Sequence, residues 1–148
     1  MSERPIAEPR HVYPFFTRIT TRWMDNDVYG HINNAVYYSF FDTAVNSYLI
    51  DRDALDIHGG GVIGLVVETH CNFFAPLEYP HTVEAGMRVG RVGRSSVRYE
   101  IALFADAAAT CAASGHFVHV YVERGSRRPV ALPQPLLTAL APLRAEGA

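Results

Sequence analysis

The segment Asp25-Asn26-Asp27-Val28-Tyr29-Gly30-His31-Ile32-Asn33-Asn34 holds the residues best placed to do chemistry. Asn33 precedes a long apolar run and is a good helix N-cap, its side chain taking the N–H of Ala35 or Val36. The Asn34 N–H, first in that helix, then stays unpaired at an end that carries partial positive charge. Such an amide can hold the oxyanion of an acyl group under attack. A turn at Gly30 can fold the Asp27 carboxylate back toward it. A carboxylate beside an oxyanion donor is enough to hydrolyse an activated acyl compound, by direct attack or by deprotonating a water. Asp before a helix is also a common cap or Asx turn. An imidazole exchanges protons near neutral pH, so His31 can position a water or bond Asp27, or it can simply hold the turn. Asp25-x-Asp27 has the look of a metal-binding pair, but the spaced oxygen ligands of a calcium loop do not follow, and no metal is expected.

These residues need elements to place them. His11 to Trp23 is rich in β-branched and aromatic residues and reads as a strand, interrupted early by Pro14. Ala35 to Ile50 is apolar over most of its circumference, which predicts a helix buried on nearly all sides. Asp42 inside it calls for a partner. Polar Asp51 to His58 and the glycines Gly59 to Gly61 end that element. Val62 to Phe74, Thr82 to Val89, Val97 to Leu103 and Cys111 to Glu123 read as strands, with Val83, Ala85, Met87 and Val89 in a period of two. Turns fall at Pro76 to Pro80, Gly90 to Ser95, Asp106 to Thr110 and Arg124 to Arg128. Pro133 opens a short helix with Leu136, Leu137 and Leu140. The expected fold is α+β: an antiparallel curved sheet wrapped around one long central helix. Residues 1–10 read as a flexible tail and 11–148 as a single domain. A sheet covered on one face leaves long edges, so a homodimer or homotetramer is expected.

Composition removes several classes of function. The chain has 148 residues, a net charge of −2 and, despite 13 basic residues, no basic stripe of the kind a nucleic-acid binder shows. All 13 are Arg, which matches phosphate bidentately better than Lys does. Arg91 and Arg94, with Ser95 and Ser96, sit on a predicted turn where a phosphate-bearing ligand could lie. A solvated strand face with ordinary Arg usage is the plainer reading. No apolar run reaches the length of a membrane span, and Met1 to Arg10 lacks the apolar core of a signal peptide. A cytoplasmic protein with free thiols at Cys71 and Cys111 is expected. His116 and His119 have no further ligands at zinc spacing.

Asp27 through Asn34, followed by Tyr37 and Phe41-Asp42, resembles the signature of the hotdog-fold acyl-CoA thioesterases, and more closely their 4-hydroxybenzoyl-CoA thioesterase-like branch. The similarity continues through Val67 to Leu77, Gly93 to Glu100 and Arg128 to Pro133, about residues 12 to 140. The resemblance implies that Asp27 is the catalytic carboxylate, that Asp25 is the non-catalytic first acid of the Asp-x-Asp, and that the Asn34 N–H binds the oxyanion. It also implies a sheet wrapping a central helix, with active sites at a dimer interface. Gly30, Tyr37, Ser95 and Ser96 are then expected near an acyl-CoA or acyl-carrier-protein thioester, although Tyr37 suits a buried core equally well. Coenzyme A enters as part of the substrate, and no cofactor is expected. Gly30 to Asn34 replaces more apolar residues of the branch, which leans toward fatty or other acyl chains rather than aromatic ones. Two other readings compete. A dehydratase or hydratase would want a His facing an acid, such as His31 with Asp42 or Glu68. A non-enzymatic module would bind the acyl thioester without turnover.

Overall fold

A computed structural model describes residues 4–145. Asn33 has extended backbone (φ −60°, ψ 137°), and helix α1 runs Asn34–Asp51 behind it. Tyr37, Phe40, Phe41, Ala44, Val45, Tyr48 and Leu49 are its buried residues. They recur at intervals of three and four, which puts them on one stripe. The expected burial on nearly all sides is corrected. Ser39, Asp42, Thr43 and Ser47 are exposed, because a helix laid on a sheet buries only the stripe it turns toward it. Asp42 correspondingly has no hydrogen bond or ion pair to its side chain among the described residues, contrary to the partner expected for it.

The strands are β1 Phe15–Ile19, β2 Val62–Phe73, β3 Val83–Val92, β4 Ser96–Ala105 and β5 Ala113–Glu123. They form one antiparallel sheet in the order β1-β3-β4-β5-β2. The two strands flanking α1 in the chain are therefore the two edges of the sheet. The helix carries the chain from one edge to the other across one face. Aromatic pairs lock it there: Tyr48 on Phe15 of β1 at 4.8 Å, Phe41 on Phe117 of β5 at 5.7 Å, and Tyr37 on Phe73 of β2 at 4.9 Å. Such contacts contribute about 0.5–1.5 kcal/mol each beyond the area they bury. The alternation expected for β3 is observed, with Val83, Ala85, Met87 and Val89 all buried. Helix α2, Gln134–Leu140, follows Pro133 and is tied to α1 where the Tyr48 hydroxyl donates to the Ala139 carbonyl at 2.6 Å. Leu136 and Leu140 face the core, and Leu137 faces out.

The first strand is shorter than its composition predicts. Arg10–Val12 and Trp23–Asp25 are 3-10 turns. At the first, Pro14 has no N–H to give to a ladder. At the second, the Asp25 carboxylate accepts the Arg22 N–H at 2.7 Å and bends the chain away from the sheet. The segment read as a loose tail is held in its second half. Pro9 bridges Thr110, Arg10 pairs with Glu84 at 2.9 Å, and Glu8 pairs with Arg88 at 3.0 Å. This strap covers a second apolar cluster of Tyr13, Ala102, Phe104 and Cys111. Residues 1–3 of that predicted tail lie outside the described residues.

Strand β2 is an open edge twelve residues long, with its register shifted between Val66 and Glu68. Val66, Val67 and Phe73 are exposed along it. A long, apolar, unpaired edge invites another strand.

Candidate active site

The loop between β1 and α1 is a small hairpin that folds back on itself before the helix begins. The Asn33 N–H donates to the Asp25 carbonyl at 2.9 Å, and the Asp27 N–H donates to the His31 carbonyl at 2.9 Å. Gly30 closes the turn, giving its N–H to the Asp27 carbonyl at 3.1 Å with φ +81°. Only glycine takes that left-handed backbone without strain. The outgoing arm is pinned to the segment after β2: the Ile32 N–H reaches the Leu77 carbonyl at 2.7 Å, and Asn26 Oδ1 accepts the Tyr79 N–H at 3.0 Å.

Asp25 is buried. Its carboxylate accepts the Arg22 amide and the Arg22 guanidinium, the latter at 2.9 Å. That charge is committed to holding the loop. Asp27 is half-buried, and its Oδ1 accepts the Tyr29 N–H at 2.9 Å, an Asx turn. Its Oδ2 has no protein partner among the described residues. One carboxylate oxygen thus fixes the side chain while the other stays available.

At the helix start the Asn33 side chain accepts the Ala35 N–H at 2.9 Å, and the Asn33 carbonyl accepts the Val36 N–H at 2.9 Å. Among the described residues the Asn34 N–H is left without an acceptor. Asp27 and Asn34 lie on the two arms of one hairpin. The rung at Asp27 stands about 7 Å, two strand residues, from the rung that ends at Asn33. Tyr37 is buried one turn into α1. Burial pushes its phenol pKa up, a backbone hydrogen bond at Leu77 opposes this, and the charges of Cys71 and Asp27 add to the rise. The Asp27 charge is therefore felt at the Tyr37 hydroxyl.

His31 joins the site through its backbone, not its ring. The ring is exposed beside a cavity of about 240 Å³ lined by Leu77, His81 and Val83. Glu68, one of the acids expected to face it, pairs instead with His116 at 3.0 Å, and among the described residues the His31 ring makes no ion pair or side-chain hydrogen bond with Asp42 or Glu68.

Arg91, Arg94, Ser95 and Ser96 surround the β3–β4 turn, where the Gly93 N–H donates to the Ser96 carbonyl at 2.8 Å. The Ser95 carbonyl accepts the Tyr121 N–H, and the Arg94 carbonyl accepts the Leu132 N–H. Among the described residues neither the Arg91 nor the Arg94 guanidinium enters an ion pair, whereas Arg88 and Arg98 are both bound to Glu100. The chain does not bring this turn to Asp27. Ser96 stands opposite Val120, and Val120 opposite Leu65. Phe73, which packs on Tyr37, lies eight residues further along β2, about 26 Å at strand rise.

Large apolar side chains flank Asp27 in the open: Val28 is 94% exposed, Tyr29 83% and Trp23 78%. A solvated face of this composition marks a contact surface. The hairpin's anchors at Leu77 and Tyr79 were not legible from sequence. Asn26 had the composition of a turn residue, but nothing near it pointed to a partner fifty residues away.

A family model for the thioesterase-like superfamily matches residues 21–140. Among solved structures, the PA5185 protein from Pseudomonas aeruginosa strain PAO1 is 55% identical over 97% of this chain and 100% of its own, with a TM-score of 0.93. The PA2801 protein from the same species is 26% identical over 88% of this chain and 98% of its own, with a TM-score of 0.77. A 1,4-dihydroxy-2-naphthoyl-CoA thioesterase from Synechocystis shares the fold at 20% identity over 85% of this chain and 94% of its own, with a TM-score of 0.77. No curated protein matches the chain significantly.

Proposed function

The chain belongs to the thioesterase-like superfamily and has its hotdog fold, and from that premise we propose that it is an acyl-CoA thioesterase whose catalytic pair is Asp27 and the Asn34 amide. The observation that carries this reading is the β1–α1 hairpin. It fixes Asp27 by one carboxylate oxygen and ends at a capped helix with the Asn34 N–H left over. In the reaction, an oxygen attacks the thioester carbonyl carbon. That oxygen is Oδ2 of Asp27, or a water whose proton Asp27 takes. Negative charge moves to the carbonyl oxygen, where the Asn34 N–H and the helix N-terminus stabilise it. The carbon–sulfur bond then breaks and coenzyme A leaves as the thiolate, which takes up the proton that Asp27 removed from water or one from solvent. Where water attacked, the free acid remains; where Asp27 attacked, a second step in which water hydrolyses the Asp27 anhydride releases the acid and restores the carboxylate. Carboxylate, amide and water are sufficient, so the proposed reaction uses no cofactor and no metal. His31 supports the pair by fixing the Asp27 amide, and Gly30 by closing the turn. The test is release of free thiol from acyl-CoAs of graded chain length by the purified protein. Absence of release from every acyl-CoA would overturn the assignment.

A second copy completes the proposed site. The phosphate-binding candidates lie at the far end of β2 from Asp27. Two copies pairing β2 antiparallel, edge to edge, bring the β3–β4 turn of one toward the Asp27 end of the other. The unpaired backbone edge of β2 is covered in the same step. Light scattering is expected to give at least twice the 16.4 kDa chain mass, and a monomer at assay concentration would exclude this arrangement. Arg91 and Arg94, free of ion pairs, are the groups assigned to the nucleotide phosphates. Arg91→Ala or Arg94→Ala is expected to raise KM for acyl-CoA about 5- to 30-fold. KM for the matching pantetheine thioester, which lacks the nucleotide, should stay within about twofold. Equal effects on both would remove these residues from the site and favour a carrier other than coenzyme A.

The cytoplasm is the compartment we assign. Cys71 and Cys111 are both free thiols, which suits a reducing environment. Among the described residues no helix is long and apolar enough to cross a membrane.

A further inference from the structure

A cavity of about 270 Å³ lies between the C-terminal half of α1 and the first residues of β2. Asp42, Gly64 and Val66 stand at its exposed rim, and Leu49, His119 and Tyr121 form its buried floor. Gly64 keeps it open. A Cβ there would come within 2.9 Å of the Tyr121 ring and 3.4 Å of His119 Nδ1.

The floor carries two polar side chains, Tyr121 and His119. His119 is 5% exposed and packed among the rings of Tyr99, Phe117 and Tyr121. Its Nε2 is buried and has no hydrogen-bond partner among the described residues. The Tyr99 and Tyr121 hydroxyls bond each other at 2.6 Å. Burial pushes the His119 pKa down to about 4. At neutral pH the ring is uncharged, with one N–H to give and one lone pair to accept. A phenylalanine would fill this place without an orphaned nitrogen, which costs stability wherever it stays unpaired. Above the floor, Asn46 gives its amide N–H to the Asp42 carbonyl at 3.0 Å, and its amide oxygen stays available. Asp42 at the rim lies eight residues from Asn34 and Asn46 lies twelve, about 12 and about 18 Å along the helix axis. The second distance is the reach of a long acyl chain.

On the premise that this chain hydrolyses acyl thioesters at Asp27, we propose that the cavity receives the far end of the acyl group, and that His119 and Asn46 select acyl groups ending in a hydroxyl over plain hydrocarbon ones. The hydroxyl accepts from an imidazole N–H and gives its single hydrogen to the Asn46 amide oxygen, so it meets both when the ring is in the tautomer that donates to it. The Asp42 carboxylate at the rim works against acyl groups that end in a second carboxylate.

The test compares ω-hydroxyhexadecanoyl-CoA with hexadecanoyl-CoA, equal in chain length. The kcat/KM ratio is expected to favour the hydroxylated substrate by about tenfold or more. His119→Phe should bring that ratio close to one. His119→Gln, which restores a donor and an acceptor, should retain most of it. A wild-type ratio near one, or a ratio unmoved by His119→Phe, overturns the proposal. Thermal shift reads the same cavity without turnover. A decane diol should raise Tm more than decanol does, and His119→Phe should abolish the difference. Equal shifts in the native protein count against the subsite. A diol preference in a protein that cleaves neither thioester supports the subsite and removes the thioesterase reading alone.

Discussion

Replacing Asp27 by Asn is expected to lower kcat for acyl-CoA hydrolysis by about 10³-fold, with Tm moved by no more than about 2 °C. The two halves of that expectation come from the two oxygens. Oδ1 accepts the Tyr29 N–H and shapes the turn. Asn carries a carbonyl oxygen at that position, so the Asx turn and the rungs below it persist. Oδ2 becomes an amide nitrogen, which neither attacks a carbonyl carbon nor takes a proton from water. Loss of activity with an intact fold separates a reacting carboxylate from a capping one. Activity within about tenfold of the native enzyme would return Asp27 to the role of an ordinary turn residue. The mode of attack is separable in the native enzyme. Single turnover in ¹⁸O-labelled water places label in the product acid if water attacks. If Asp27 attacks and water then opens the anhydride at the Asp27 carboxyl carbon, the first-turnover acid is unlabelled and the label stays on Asp27.

Asn34→Pro removes a single N–H from the second half of the pair. Proline is favoured at the first position of a helix, where its missing N–H has no intrahelical partner to lose. It also requires extended backbone in the residue before it, and Asn33 already has φ −60° and ψ 137°. The substitution should therefore fold. It is expected to reduce kcat by about 10²–10³-fold, the usual loss for one oxyanion donor, with a much smaller effect on KM. Asn34→Ala keeps the amide and discards the side chain, and its kcat should stay far above that of Asn34→Pro. Equal kcat in the two variants would show that the amide does not meet the developing charge.

Both positions were legible in the sequence because their information is local. An Asn before an apolar run, a Gly four residues upstream of Asn34 and an Asp three residues before that Gly describe a capped helix entered through a turn. The period of two in Val83 to Val89 was equally local. What escaped was set by partners distant in the chain. The polar face of α1 looked too narrow to matter, yet Ser39, Asp42, Thr43 and Ser47 reach the open because the sheet covers only the opposite stripe. The strap from Glu8 to Arg10 owes its order to Arg88, Glu84 and Thr110, which no reading of the first ten residues could supply. His119 was set aside for want of zinc ligands. That its Nε2 has no hydrogen-bond partner among the described residues is a property of the packed interior and has no sequence signature.

The rungs of the β1–α1 hairpin also bear on how such a chain can vary. The backbone pairs Asp25 with Asn33 and Asp27 with His31, while the side chains of Val28 and Tyr29 point into solvent. The length of this loop is constrained far more tightly than its composition. Exchanges at Val28 and Tyr29 leave the distance from carboxylate to amide untouched. A single inserted residue shifts one arm against the other and turns Asp27 to the opposite face of the hairpin. Gains and losses of residues should therefore be absent between Asp25 and Asn34.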